Sequence, residues 1–127
     1  MIRKYAYWIS TALVCLLYLA SATHYLLMGD QVRQAFIGLG YPAYLRDVLI
    51  PVKILGVVAV LSRVNVRLSD LAYAGMFYHL LLAFSAHINA HDGAFAPAVV
   101  GLVALVVSFL TQNAARAKKS PYPPLPA

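Results

Sequence analysis

The sequence predicts an all-α integral membrane protein, an up-and-down four-helix bundle with both termini in the cytoplasm. The prediction comes from the composition, from four long apolar runs and from the positions of the basic residues. Hydrophobic residues make up 62% of the 127-residue chain and charged residues 11%, and the mean hydropathy is +0.75. Soluble domains contain about 25% charged residues, so the composition indicates a protein embedded in a bilayer.

Four apolar runs approach the roughly 20 residues that a hydrocarbon core of about 30 Å requires. They cover residues 6–28, 44–62, 71–90 and 95–111. The second run is the weakest because Pro51 and Lys53 interrupt it, which leaves a three-span alternative open. Neighbouring helices can satisfy the backbone groups that such residues free. Residues 1–111 are therefore predicted to form one four-span domain.

The basic residues stand beside the runs and predict the orientation of the bundle. Before the first run, between the second and third, and after the fourth lie Arg3, Lys4, Arg63, Arg67, Arg116, Lys118 and Lys119. The two other loops carry only Arg33 and Arg46, so the positive-inside rule places both termini in the cytoplasm. Despite the net charge of +6, this distribution forms no nucleic-acid-binding motif.

The first run has an alternative interpretation as a cleaved signal peptide, with Ala20-Ser21-Ala22 as the cleavage site. We favour an uncleaved span because the apolar character continues to Met28. Cleavage would also leave an odd number of spans. Cys15 is the only cysteine, which excludes an internal disulfide, and we expect it to be a small packed residue.

The segments between and after the runs contain turn and helix signals. Residues 29–42 predict a short helix, capped by Asp30, that lies on the membrane surface or forms a lid over a pocket. Asp70 is the expected cap of the third span, and Pro97 suits the first turn of the fourth. The tail over residues 112–127 is basic and then proline-rich, and we expect it to be disordered.

Small residues predict which helix faces meet. The expected inward stripe of the third span contains Ala72, Gly75, Met76, His79, Ala83, Ala86, His87 and Ala90. The fourth span presents Pro97, Gly101, Ala104 and Ser108, and Gly56 plays the same part on the second. Small residues of this kind allow close helix packing in lipid.

Lys53 and His79 are the polar residues deepest in the predicted spans. A charge at mid-span costs about 2.5 to 3.5 kcal/mol on insertion scales, so Lys53 is expected to face the interior. We interpret it as a contact for a ligand, quinone headgroup or anion. Alternatively, it bonds carbonyls freed near Pro51 or extends to the interface. His79 is either part of that site or an interhelical hydrogen-bonding group.

A second cluster of polar residues lies toward the other end of the third span. His87 and His91 are four residues apart, a spacing that aligns two imidazoles on one helical face. Asp92 is adjacent, and His24 could reach the same depth. These four residues are the candidates for a metal site. If they bind no metal, His87 is a helix-packing residue and His91 a solvated one.

Two stretches, "FIGLGYPAYLRDVLIPVKILGVVAVL" and "LAYAGMFYHLLLAFSAH", resemble the DoxX-like family of small bacterial four-helix membrane proteins. The resemblance implies a bacterial cytoplasmic (inner) membrane location and an inter-helix site lined by Lys53 and by Ser85-Ala86-His87. Family members have been associated with a thiosulfate:quinone oxidoreductase and with membrane thiol-redox complexes. The resemblance therefore implies a quinone or another small ligand, and it carries over no catalytic residues.

Three functional hypotheses follow from these observations. The first is a redox-associated membrane subunit, not a stand-alone enzyme, that binds a small quinone-type ligand through Lys53, His79, Ser85 and His87, beside a redox partner protein. The alternative is a small-solute transporter or channel-like protein. In a third interpretation the polar groups only hold the helices together. The absence of Glu from the chain argues against a carboxylate-driven pump.

Overall fold

The computed structural model describes residues 1–123 and contains five helices. They are α1 (Ile2–Leu27), α2 (Gly29–Gly38), α3 (Leu45–Ser62), α4 (Val66–Ala90) and α5 (Ala96–Ala115). The all-α prediction is confirmed. Each of the four long helices overlaps one of the four apolar runs, and α2 is the short helix predicted between the first two.

Three of these helices, α1, α4 and α5, are long and apolar enough to cross a membrane. The exception is α3, whose 18 residues span about 27 Å but include Arg46, Asp47 and Lys53. Pro51 also lies inside this helix and removes one of its hydrogen bonds. The chain is thus a protein with several apolar helices, and a transmembrane position for α3 stays a prediction.

The four long helices form a ring. α1 packs on α3 and α5, and α4 packs on the same two helices. At one end of the ring the Arg116 guanidinium donates a hydrogen bond to the Tyr7 hydroxyl over 3.3 Å, which brings the start of α1 to the end of α5. We call this the termini end, and we call the opposite end, which carries α2, the α2 end.

The core of the ring is apolar and closely packed. Its buried cluster consists of Val14, Cys15, Tyr18, Val57, Val60, Tyr73, Met76, Leu80, Ala104 and Leu105. A Cβ atom at Gly56 would lie 2.8 Å from the Met76 methyl, so the predicted close approach at Gly56 is confirmed. On α4 the inward stripe runs through Tyr73, Met76 and Leu80, whereas Gly75 is exposed. The expected stripe was therefore wrong at Gly75, because large residues fill the interior there, and at Ala90, which is also exposed.

Two predicted helix caps are corrected. The residue before α2 is Met28, and Asp30 lies in the first turn without a cap hydrogen bond. α4 begins earlier than its apolar run, and the Asn65 side chain caps it by accepting a hydrogen bond from the Leu68 amide over 3.1 Å. Asp70 is inside α4 and buried. The apolar run misses this start because Arg67, Ser69 and Asp70 interrupt the apolar residues of the first turns.

A buried polar network joins α3, α4 and α5 at the termini end. Arg63 donates to the Gln112 side-chain oxygen over 2.7 Å, and the Gln112 amide lies 3.5 Å from Asp70 Oδ1. Ser120 Oγ donates to Asp70 Oδ2 over 2.8 Å. These residues are 9% exposed or less, so the interior at this end is filled by hydrogen-bonded side chains.

The chain after α5 turns back onto this network. α5 continues to Ala115, beyond the predicted end of the span at 111. Asn113 and Ser120 exchange two hydrogen bonds of 2.8 Å each through the Asn113 side chain. These bonds oppose disorder for residues 116–123. The predicted disorder of the whole tail stays a prediction, and residues 124–127 lie outside the described residues.

Candidate functional site

Lys53 is almost completely buried on α3, with 5% of its surface exposed. Its Nζ atom lies 4.9 Å from the ring centroid of Tyr18 and 4.9 Å from that of Tyr25, both on α1. Within residues 1–123 these two rings are the only groups found to contact the ammonium favourably. The bond to a carbonyl freed by Pro51, which the sequence left as an alternative, is not formed.

The two aromatic rings offset much of the cost of burying this charge. A desolvated cation–π contact is worth about 2 kcal/mol, and the insertion cost of a mid-span lysine is about 2.5 to 3.5 kcal/mol. An ammonium nevertheless carries three N–H donors, and ring faces provide no lone pairs for them. Lys53 is therefore held in place with its hydrogen-bonding capacity still available.

His79 stands beside Lys53 on the neighbouring helix α4. Its Nδ1 atom lies 2.8 Å from the Tyr18 hydroxyl, which is also 3.4 Å from the Met76 carbonyl oxygen. Either the hydroxyl donates to Nδ1, or Nδ1–H donates to the hydroxyl while the hydroxyl donates to the carbonyl. In both arrangements Tyr18 orients the imidazole and leaves Nε2 for another partner. Tyr18 thus contacts both predicted site residues.

A cavity of about 200 Å³ lies between these side chains. Its lining includes Tyr18, Tyr25, Lys53, His79, His87 and Gly101. A dry cavity of about 150 Å³ holds one benzene ring, so this cavity has room for one substituted ring. We call it the Lys53 cavity.

Three of the four residues predicted as ligand contacts share the lining of this cavity. Lys53 and His79 line its deeper part, and His87 lines it toward the α2 end together with Ala94. Ser85 is exposed and does not belong to the lining. It is separated from His87 by only two positions, and in a helix two positions place side chains on different faces.

The contribution of α1 was not predicted from the sequence. Tyr18, Ser21 and Tyr25 all line the cavity, and their spacing of three, four and seven residues places them on one helical face. The signal was therefore present in the sequence. Aromatic residues at helical spacing are common in apolar runs, however, and only the position of Lys53 across from them distinguishes these two rings.

His87 is tied to the loop between α4 and α5. Its Nδ1 atom lies 2.7 Å from Asp92 Oδ2, and Asp92 Oδ1 accepts a hydrogen bond from the Ala94 amide over 2.9 Å. The Ala94 N–H first, and His87 second, hold the pKa of the Asp92 carboxyl below its ordinary value. The hydrogen bond between His87 and Asp92 fixes the loop beside the α2 end of the cavity.

The four candidate metal ligands do not come together. In the described part of the chain, no group of three or more His, Cys, Asp or Glu side chains could hold a metal ion. α4 ends at Ala90, and His91 adopts a left-handed conformation with φ of 54°. The predicted shared face of His87 and His91 is therefore lost, and His24 is exposed on α1. Of the four candidates, the described residues bring together only His87 and Asp92, as a hydrogen-bonded pair.

Comparison with known proteins supports the family resemblance. The family model described as the DoxX-like family matches residues 9–110, which is most of the chain and includes every residue of the Lys53 cavity. No curated protein and no solved structure matches the chain with significance.

Proposed function

We propose that this chain, which belongs to the DoxX-like family of membrane proteins, binds a quinone-type headgroup in the Lys53 cavity as a redox-associated subunit. The observation that carries the proposal is a nearly buried ammonium that no described residue provides with an acceptor, on the wall of a ring-sized cavity. In this proposal a partner protein performs the electron transfer, and the chain positions the headgroup.

The chemistry of the lining suits such a ring. Quinone carbonyl oxygens accept hydrogen bonds, and a bond from the charged Lys53 would be stronger than one from a neutral donor. His79 could donate a second bond through Nε2 when the Tyr18 hydroxyl donates to Nδ1. The aromatic side chains of Tyr18 and Tyr25, which also line the cavity, suit a flat partner. Most of the remaining lining is apolar, as expected for a headgroup with a hydrocarbon substituent.

The proposal includes the position of the protein in the membrane. We place α3 across the bilayer with α1, α4 and α5, because its packing between α1 and α4 would otherwise expose their polar contacts to lipid. Both termini face the cytoplasm, since seven of the ten basic residues lie at the termini end. In a bacterium the membrane would be the inner membrane.

Transport of a small solute receives less support. A transport path would have to continue from the Lys53 cavity to the termini end. At that end Arg63, Gln112 and Asp70 fill the interior with hydrogen-bonded side chains. Opening the path would require breaking this network, so we favour binding over transport.

Titration of the purified protein with a short-chain ubiquinone or with menadione would test the proposal. We expect saturable quenching of intrinsic fluorescence in the wild type. Lys53→Met should weaken binding by about tenfold or more, because one hydrogen bond from a charged group contributes about 1.5 to 3 kcal/mol.

Lys4→Met is the matched control, since it makes the same change at an exposed residue near the termini end. It should leave quinone binding unchanged. Absence of saturable quinone binding to the folded wild type would refute the proposal. Equal affinity of wild type and Lys53→Met would show that any quinone binds elsewhere.

A further inference from the structure

A second and larger concavity lies between α4 and α5 at the termini end. Its volume is about 1040 Å³, and we call it the α4–α5 groove. Its apolar wall is formed by Leu71, Phe77, Tyr78, Leu105, Val106 and Phe109. α4 is the least buried candidate span. In its most apolar 18-residue stretch 17% is buried inside the bundle, compared with 39% in α1 and in α5. The groove therefore lies on a face that the bundle leaves uncovered.

Two basic side chains stand at one end of this groove, Arg67 on α4 and Lys119 in the chain after α5. The Lys119 ammonium donates to the carbonyl oxygens of Asn113 and Arg116, over 2.5 and 2.8 Å. An ammonium has three donors, so these two bonds fix the group and leave one N–H. Arg67 is exposed and makes no side-chain hydrogen bond to the rest of residues 1–123.

One acidic residue, Asp70, also lines the groove. Its two carboxylate oxygens are engaged by Ser120 and Gln112, over 2.8 and 3.5 Å, and Arg63 lies next in that network. The negative charge of Asp70 is thus opposed inside the bundle. Arg67 and Lys119 leave the groove end with a net positive charge.

We propose that the α4–α5 groove binds one anionic phospholipid, with its phosphate at Arg67 and Lys119 and an acyl chain along the apolar wall. The charge of the groove end is complementary to a lipid phosphate, and the wall continues from it along the lipid-facing side of α4 and α5. Basic pockets between transmembrane helices bind anionic headgroups in this manner. Tyr122, which also lines the groove, is of the residue type enriched at headgroup depth. The site is separate from the Lys53 cavity and does not depend on a quinone.

Native mass spectrometry of the full chain would test this proposal. The detergent-purified protein is given phosphatidylglycerol or phosphatidylcholine with identical acyl chains, and the bound lipid is measured. We expect phosphatidylglycerol to be retained at least about fivefold better, the factor that corresponds to one basic contact near a lipid surface. The double variant Arg67→Gln/Lys119→Gln should lose this preference.

The matched control is Arg3→Gln/Lys4→Gln, which removes the same charge from exposed residues of α1 outside the groove. It should keep the preference. Ala74→Phe, at an exposed residue of the groove wall, should reduce retention of both lipids because it fills the space for the acyl chain. Arg67→Gln alone removes no hydrogen bond within the described protein, so it tests the site without disturbing the fold.

Several results would overturn the proposal. Equal retention of the two lipids by the wild type would show that the groove does not select an anionic headgroup. An equal loss of preference in both double variants would assign the effect to diffuse charge. A dimer that excludes lipid would identify a second copy of the chain as the occupant of the groove.

Discussion

Lys53 and Arg63 are both buried, with 5% and 3% of their surfaces exposed, but their surroundings differ. The Arg63 guanidinium donates to the Gln112 side chain over 2.7 Å and twice to the Lys118 carbonyl oxygen, over 2.9 and 2.5 Å. Within residues 1–123, the Lys53 ammonium is found only against the rings of Tyr18 and Tyr25 and makes no hydrogen bond.

This difference separates a cation whose donors are used within the fold from one whose donors are not. The bonds of Arg63 use most of its donors and stabilise a backbone with φ of 49°, a left-handed conformation that residues other than glycine adopt at a cost. Its side chain therefore holds the end of α3 to the chain after α5. Lys53 supports no such contact, and its donors remain available.

The largest expected effect tests this comparison directly. Arg63→Met should lower the free energy of unfolding by about 3 to 5 kcal/mol, because it leaves the buried Gln112 side chain and the partly buried Lys118 carbonyl without their charged donor. Lys53→Met should leave the free energy of unfolding unchanged or raise it, since an apolar side chain of similar size replaces a buried charge. Reversible unfolding in mixed micelles would measure both.

Both variants replace a buried cation by methionine, so the comparison reports on each cation together with its surroundings. Lys4→Met, at an exposed residue, gives the baseline for loss of one positive charge. If Lys53→Met destabilised the protein as much as Arg63→Met, Lys53 would be a structural residue, and the distinction between the two cations would be wrong.

A smaller effect on the free energy of unfolding is expected from the neutral hydrogen bonds that join helices in the half of the bundle nearer the termini end. Ser108 Oγ lies 2.6 Å from Thr11 Oγ1 and 2.7 Å from the Tyr73 hydroxyl, and it joins α1, α4 and α5. Ser108→Ala should lower the free energy of unfolding by about 1 kcal/mol, since interhelical hydrogen bonds in membranes average about 0.6 kcal/mol each.

Ser85→Ala is the control for this prediction, because Ser85 is exposed and makes no side-chain hydrogen bond within residues 1–123. The same unfolding assay should show no change for it. A Ser108→Ala variant as stable as wild type would mean that the hydroxyls of Thr11 and Tyr73 find other partners, and that packing alone joins these helices.

The sequence predicted the elements of this molecule better than their polar contacts. Apolar runs located the four long helices, even where Pro51 and Lys53 interrupt the second run. Gly56 and Gly101 marked close packing because small residues are needed there. Lys53 was recognised because a charge in an apolar run is costly. Arg63 was interpreted only as an orientation signal, since basic residues beside a span are common.

Contacts between residues far apart in the chain could not be predicted in the same way. Asp70 looked like a helix cap because its partners, Gln112 and Ser120, are 42 and 50 positions away. Tyr18 became part of the site only through its contacts with Lys53 and His79 across helix interfaces. Hydropathy and spacing describe one helix at a time, whereas these contacts depend on how helices pack.

The smallest expected effect concerns the loop at the α2 end, where the polar contacts are exposed. The Ala94 N–H and His87 hold the pKa of Asp92 below its ordinary value, which is about 3.9. The ionised carboxylate thus stabilises the folded state above that ordinary value, and this contribution is lost as the pH falls through the lowered folded pKa. Asp92→Asn should therefore flatten the stability profile below about pH 4.

Thermal unfolding measured between about pH 2 and pH 7 would test this prediction. At neutral pH, Asp92→Asn should lower the stability less than Ser108→Ala does, because solvent screens the His87–Asp92 pair. Asp30→Asn is the control, since it makes the same change at a fully exposed side chain whose ion pair with Arg33, over 3.3 Å, is open to solvent, and its effect should be smaller than that of Asp92→Asn. If Asp92→Asn and wild type lost stability in acid equally, the His87–Asp92 pair would contribute nothing to the fold, and the α2 end would be held by packing alone.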